Sequence, residues 1–139
     1  MFSSLVLIAS LFASQAFAGS VTGSAGRVNG FHKQKSFYRF DAETGTAVVG
    51  LRLKKRLYAG PKSLPSSTYQ TRMATIPGLA YDAGAREIRL TAEGKVITCA
   101  TVTDETGFFG NSFQEIHPTE NCDVSVNVVN GAYMVSIEY

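Results

Sequence analysis

The chain has 139 residues, 45% of them hydrophobic and 17% charged, with 13 glycines and a net charge of only +2. That is the make-up of one ordinary soluble domain with many turns. So small a net charge speaks against nucleic acid as the physiological partner. The charge is uneven: ten of the 13 basic residues lie between Arg27 and Arg72, where Asp41 and Glu43 are the only acids. From residue 73 onward three basic residues, Arg86, Arg89 and Lys95, face nine acids. In a small domain two such halves can simply face each other and cancel.

Residues 1–18 read as a secretory signal. The uncharged apolar run from Leu5 to Ala13 is too short to span a bilayer, and Ala16-Phe17-Ala18 supplies small residues for a peptidase. Cleavage after Ala18 leaves about 120 residues, enough for one domain with one core. The expected location is secreted or periplasmic.

Residues 19–35 are rich in Gly and Ser and lack an apolar period, so they are expected to form a flexible N-terminal arm. The single domain is expected over 36–139. It opens with a short aromatic strand at Ser36–Asp41 and a turn at Ala42–Gly45. The longest strand, Thr46 to Tyr58, alternates Val49, Leu51 and Leu53 with Gly50, Arg52, Lys54 and Arg56. Lys55 breaks its apolar face near the end. Pro61 and Pro65 mark a loop, and Tyr69–Ile76 is a weak strand ended by Pro77-Gly78.

After a connection over 79–85, a hairpin is expected from Arg86 to Val102, turning at Glu93-Gly94 with Ile88 opposite Cys99. Residues 103–121 read as a long connection holding Phe108, Phe109 and Phe113, in which a short strand around Phe108–Ile116 would be the eighth. The strongest local signal closes the chain: Asn130-Gly131 between two alternating runs, placing Val128 opposite Tyr133, Val126 opposite Val135 and Val124 opposite Ile137. Cys122, Val124, Val126, Val128, Tyr133, Val135, Ile137 and Tyr139 would share the apolar face. The count, about seven or eight short strands with no helical period, predicts an all-β domain, either an antiparallel β-sandwich or a small closed barrel.

Cys99 and Cys122 both fall on apolar faces, and in an exported chain they are expected to form one disulfide. Catalysis has little support, and no enzyme activity is expected. Only His32 and His117 could act as neutral-pH bases, and no serine sits in a nucleophile elbow. His117 with Glu115, Glu120 or Asp123 could present metal ligands, but one histidine without a second at ligand spacing reads as a solvated loop residue. No metal or cofactor is expected.

Two surface features remain. Arg52, Lys54 and Arg56 lie on one strand face roughly 7 Å apart in succession, a row that can follow an anionic polymer or headgroups, extended by Tyr58 and Lys62. The competing reading is a solvated strand face guarded by lysine. Phe108, Phe109 and Phe113 could form a protein-contact loop or a plug closing one end of the core; small domains need the apolar area, which favours the plug.

The last seven residues, with Tyr133, Val135, Ile137 and Tyr139 alternating to a terminal aromatic, resemble the C-terminal assembly signal of bacterial outer-membrane β-barrels. That resemblance implies a small membrane barrel, for which the mature chain is short. The preferred expectation is an exported, non-enzymatic β-domain binding module of the cell envelope or extracellular space, its target a protein or an anionic envelope polymer. An inhibitor of a secreted hydrolase is a further alternative.

Overall fold

The computed structural model describes residues 17–27, 30–57 and 66–139. Among them run ten strands: β1 Ser20–Arg27, β2 His32–Asp41, β3 Thr46–Leu57, β4 Ser66–Ala74, β5 Leu79–Asp82, β6 Glu87–Ala92, β7 Lys95–Thr106, β8 Ser112–Pro118, β9 Asp123–Val129 and β10 Ala132–Glu138. All pair antiparallel in two sheets. One is β1-β10-β9; the other runs β2-β3-β5-β6-β7-β8, with β4 also paired to β3. The larger sheet curls until its end strands approach, for Arg39–Glu43 of β2 and its turn share a cleft of about 580 Å³ with Gln114 of β8. The result is an all-β fold of two sheets, one a nearly closed barrel.

Turn chemistry sets the terminal hairpin. Asn130 and Gly131 take φ of 52° and 77°, as a type I′ turn requires, and the pairing follows with Val129 opposite Ala132 and Val124 opposite Ile137. Val135 and Ile137 are fully buried. Val128 departs from the expected apolar face: it is 61% exposed, because the hairpin tip overhangs the core. Glu93 and Gly94, at φ 53° and 74°, make the same turn between β6 and β7.

There a bulge corrects the expected register. Ile88 pairs with Ala100 and Arg89 with Thr98, so Cys99 is the extra residue rather than the partner of Ile88. The kink lets consecutive residues, Cys99 and Ala100, both enter the core. From that position Cys99 bonds Cys122, with Cα atoms 5.1 Å apart. The disulfide links β7 of the larger sheet to the residue just before β9 of the smaller one. Hydrogen bonds from Thr119 N to the Cys99 carbonyl at 2.9 Å and from Thr119 Oγ1 to the Thr98 carbonyl at 2.6 Å lash the same loop to β7.

Three expectations give way. Residues 19–35 are no flexible arm: 20–27 form β1, paired with β10 from Ser20–Glu138 to Arg27–Ala132, and 32–35 begin β2. Small side chains hid this strand, since its order comes from pairing and not from propensity. The connection over 79–85 contains β5, four residues with Leu79 and Tyr81 buried. The long connection over 103–121 is mostly a further hairpin: β7 runs on to Thr106, and the short strand expected around Phe108–Ile116 lies at Ser112–Pro118 as β8 after a turn at 107–111. Hence there are ten strands where seven or eight were expected. The expected signal segment lies outside the described residues up to position 16.

The core is built from Val49, Leu51, Leu53, Ile76, Ile88, Leu90, Val135 and Ile137, and among the described residues it holds no buried charge. Of its tyrosines, Tyr133 donates its hydroxyl to the Phe31 carbonyl, tying β10 to the approach of β2. The buried Tyr38 hydroxyl finds no partner among the described residues. Burial, helped by the Asp123 charge, pushes its pKa from 10.0 to about 12.

Tyr38→Phe is therefore expected to leave stability at pH 7 unchanged or raise it by about 1 kcal/mol, since an unsatisfied hydroxyl is removed. Above pH 10 the unfolded chain releases this proton while the folded chain keeps it, so wild-type stability falls as pH rises. By pH 11 the loss specific to Tyr38 should reach about 1 kcal/mol. Urea unfolding of both proteins at pH 7 and 11 tests this; equal alkaline losses would rule it out.

Candidate anion-binding face

The outward face of β2, β3 and β4 follows from register. Val49, Leu51 and Leu53 of β3 are fully buried, so Gly50, Arg52 and Lys54 point the other way. Across β2, Lys35 pairs with Arg52, Phe37 with Gly50 and Arg39 with Val48. Across β4, Arg52 pairs with Thr71, Lys54 with Tyr69 and Gly50 with Met73. Directly paired residues share a face, so cations and aromatics from three strands meet here. Gly50 is what lets Phe37 lie down: a Cβ at that position would sit 2.5 Å from the ring.

The Arg52 guanidinium stacks over the Tyr69 ring at 4.4 Å, with Lys54 Nζ at 5.7 Å from the same ring and Lys35 Nζ at 5.8 Å from Phe37. Between the rings lies a groove of about 350 Å³ lined by Lys35, Phe37, Arg52, Tyr69 and Thr71. The stacking holds the long cationic side chains against the sheet, so they lose less freedom on meeting a ligand.

Among the described residues all three ion pairs lie in the other half of the chain. Arg86 binds Asp104 at 2.7 Å, and Arg89 bridges Asp82 at 2.7 Å and Glu87. The Ala85 amide, aided by Arg89, holds the Asp82 carboxyl below its usual range. The acidic half thus answers its own arginines, and no described carboxylate lies within 4 Å of Lys35, Arg52 or Lys54.

Of the expected row, Arg52 and Lys54 stand together on this face. Arg56 continues β3, paired with Ser67, while Tyr58 and Lys62 lie outside the described residues. Lys55, inward by alternation, runs to within 5.9 Å of the Phe31 ring centre, which accounts for the break in the apolar face. Sequence reasoning missed Lys35, Phe37 and Tyr69 as members of the site. The turn at Ala42–Gly45 was the available signal, because it fixes which β2 residues oppose β3.

The phenylalanines are not a plug. Phe108 and Phe109, at the β7–β8 turn, are 97% and 93% exposed and pack edge to face on each other, 5.3 Å between centres. Phe113, opposite Glu105 on β8, is 46% exposed. The hairpin projects its turn beyond the reach of either sheet's inner face.

The histidine cluster assembles differently from expectation. Glu115 and His117 of β8 meet Glu105 of β7, with ligand atoms within 4.8 Å of one another. Thr103 Oγ1 donates to Glu105 Oε1 at 3.0 Å and therefore accepts from His117 Nε2 at 2.8 Å. These two bonds tie Glu105 and His117 together through Thr103.

No known protein family, curated protein or solved structure matches this chain.

Proposed function

We propose that this protein is an exported, non-catalytic binding module whose β2–β3–β4 face takes an anionic polymer of the cell envelope or extracellular space. One observation carries the reading: Lys35 and Arg52 line the Phe37–Tyr69 groove, Lys54 lies against the Tyr69 ring beside it, and none of the three has a described carboxylate within 4 Å. Cations held on aromatic faces meet repeated negative charges without rearranging, and the rings offer apolar surface to the polymer backbone between them. The Cys99–Cys122 disulfide is compatible with an oxidising extracellular or periplasmic setting. The apolar interior and charged outward positions such as Arg52 and Arg89 are the reverse of the pattern that suits a membrane barrel. No helix among the described residues is long and apolar enough to cross a membrane.

The test is chromatography on immobilised heparin with a salt gradient. Wild type should be retained, with affinity falling steeply as salt rises. Replacing Lys35, Arg52 and Lys54 by Ser should cut the salt slope by about one per lost contact while changing stability by less than about 0.5 kcal/mol per site. Co-elution of wild type and triple variant would refute the proposal.

A further inference from the structure

We infer that the β7–β8 tip of one copy of this chain docks into the Phe37–Tyr69 groove of a second copy. The tip is apolar and unpartnered: Phe108 and Phe109 lean on each other and touch no core. Such exposure of two large rings on a small domain marks an interaction site. Behind the rings the same hairpin carries Glu105 and Glu115, which no described lysine or arginine pairs, while Asp104 is taken by Arg86. The tip thus fits an apolar recess rimmed by cations. The β2–β3–β4 groove offers the rings of Phe37 and Tyr69 beside the cations Lys35 and Arg52, with Lys54 Nζ 5.7 Å from the Tyr69 ring.

Charge favours this pairing over a membrane. A lipid surface bearing phosphates would repel an acidic collar, whereas the cationic rim attracts it. The tip belongs to β7 and β8 and the groove to β2, β3 and β4, so the contact joins unlike patches, head to tail. It leaves a free tip at one end and a free groove at the other, and copies add in chains or rings. A two-ring anchor is far smaller than a standard interface, which places the contact among weak ones with Kd on the order of 0.1 mM. Docking covers the groove, so a polyanion bound there would compete with assembly. The inference itself rests on the lining of the groove and stands whether or not a polymer binds.

Complementation tests it by sedimentation velocity at concentrations up to about 1 mM, chosen to exceed the expected Kd. Wild type should gain mass with concentration, beyond a dimer. A tip variant, Phe108→Ser with Phe109→Ser, keeps its groove; a groove variant, Arg52→Glu, keeps its tip. Each alone should stay monomeric, with an unchanged melting temperature because the altered side chains are exposed. Mixed, they should form a one-to-one heterodimer and nothing larger. Wild type that stays monomeric, or two monomeric variants that ignore each other when mixed, would overturn the inference. So would flotation of monomers with phosphatidylcholine vesicles that is lost in the tip variant, since the tip would then serve a membrane. Heparin retention without self-association would leave the polymer reading intact and remove this one.

Discussion

Replacing Cys99 and Cys122 by alanine together is expected to lower stability by about 3 kcal/mol, the cost of releasing a loop of this size in the unfolded chain. The two cysteines are 23 positions apart, and their bond joins the bulge of β7 to the residue before β9. No strand pairing crosses between the two sheets. The disulfide is the covalent link between them, supplemented by the Thr119 and Asn121 bonds to the Thr98 carbonyl and by Tyr133 to Phe31. A loss of 3 kcal/mol is a large share of the 5–15 kcal/mol typical of a domain. Urea unfolding of the double variant measures it, with a steeper slope than wild type because the unfolded chain, freed of the cross-link, exposes more surface. Hydrogen exchange should show β1, β10 and β9 losing protection before β3 and β6. A double variant with the wild-type midpoint would mean that packing alone holds the sheets in register.

The parts of the fold that could be read from sequence are those where a turn and an alternating run agree. Asn130-Gly131 and Glu93-Gly94 both impose positive φ, and each lies between runs whose apolar residues repeat every second position. The interior of β3 was legible for the same reason, since Val49, Leu51 and Leu53 hold the core while Arg52 and Lys54 face outward.

What was illegible depends on distant partners. Strand β1 reads as Ser and Gly because its role is to fit beside β10 rather than to bury bulk. The outer halves of β7 and β8 stand clear of the core, so apart from Phe113 their residues are polar and no alternation marks them. Phe108 and Phe109 mislead because a large apolar residue reads as core unless its turn is known to project. The candidate face was half visible: one strand revealed Arg52 and Lys54, but Lys35, Phe37 and Tyr69 join them only through cross-strand register.

Gly23→Val is expected to destabilise the protein by at least about 3 kcal/mol, beyond the usual cost of overpacking. The reason is close approach, not backbone freedom, because Gly23 is not among the positive-φ residues. It pairs with Val135 in the middle of the β1–β10 ladder, and a Cβ there would lie 2.2 Å from the Thr75 carbonyl oxygen and 3.0 Å from Ile76 Cδ1. Backbone, not a flexible side-chain end, occupies the space, so relief requires moving β1 or the segment after β4. Moving β1 strains its pairing with β10; moving 75–76 displaces Ile76, which is 2% exposed and part of the core. This contact is where the smaller sheet meets the chain that leaves β4. Ser20→Val, on an exposed position of the same strand, supplies the control and should change stability by less than about 0.5 kcal/mol. If chemical denaturation finds the two variants equally mild, β1 is held by β10 alone. A large cost at Gly23 confined to that site would show that the Gly and Ser of this strand, unreadable as a β pattern, are there because backbone from the neighbouring sheet fills the space a side chain would need.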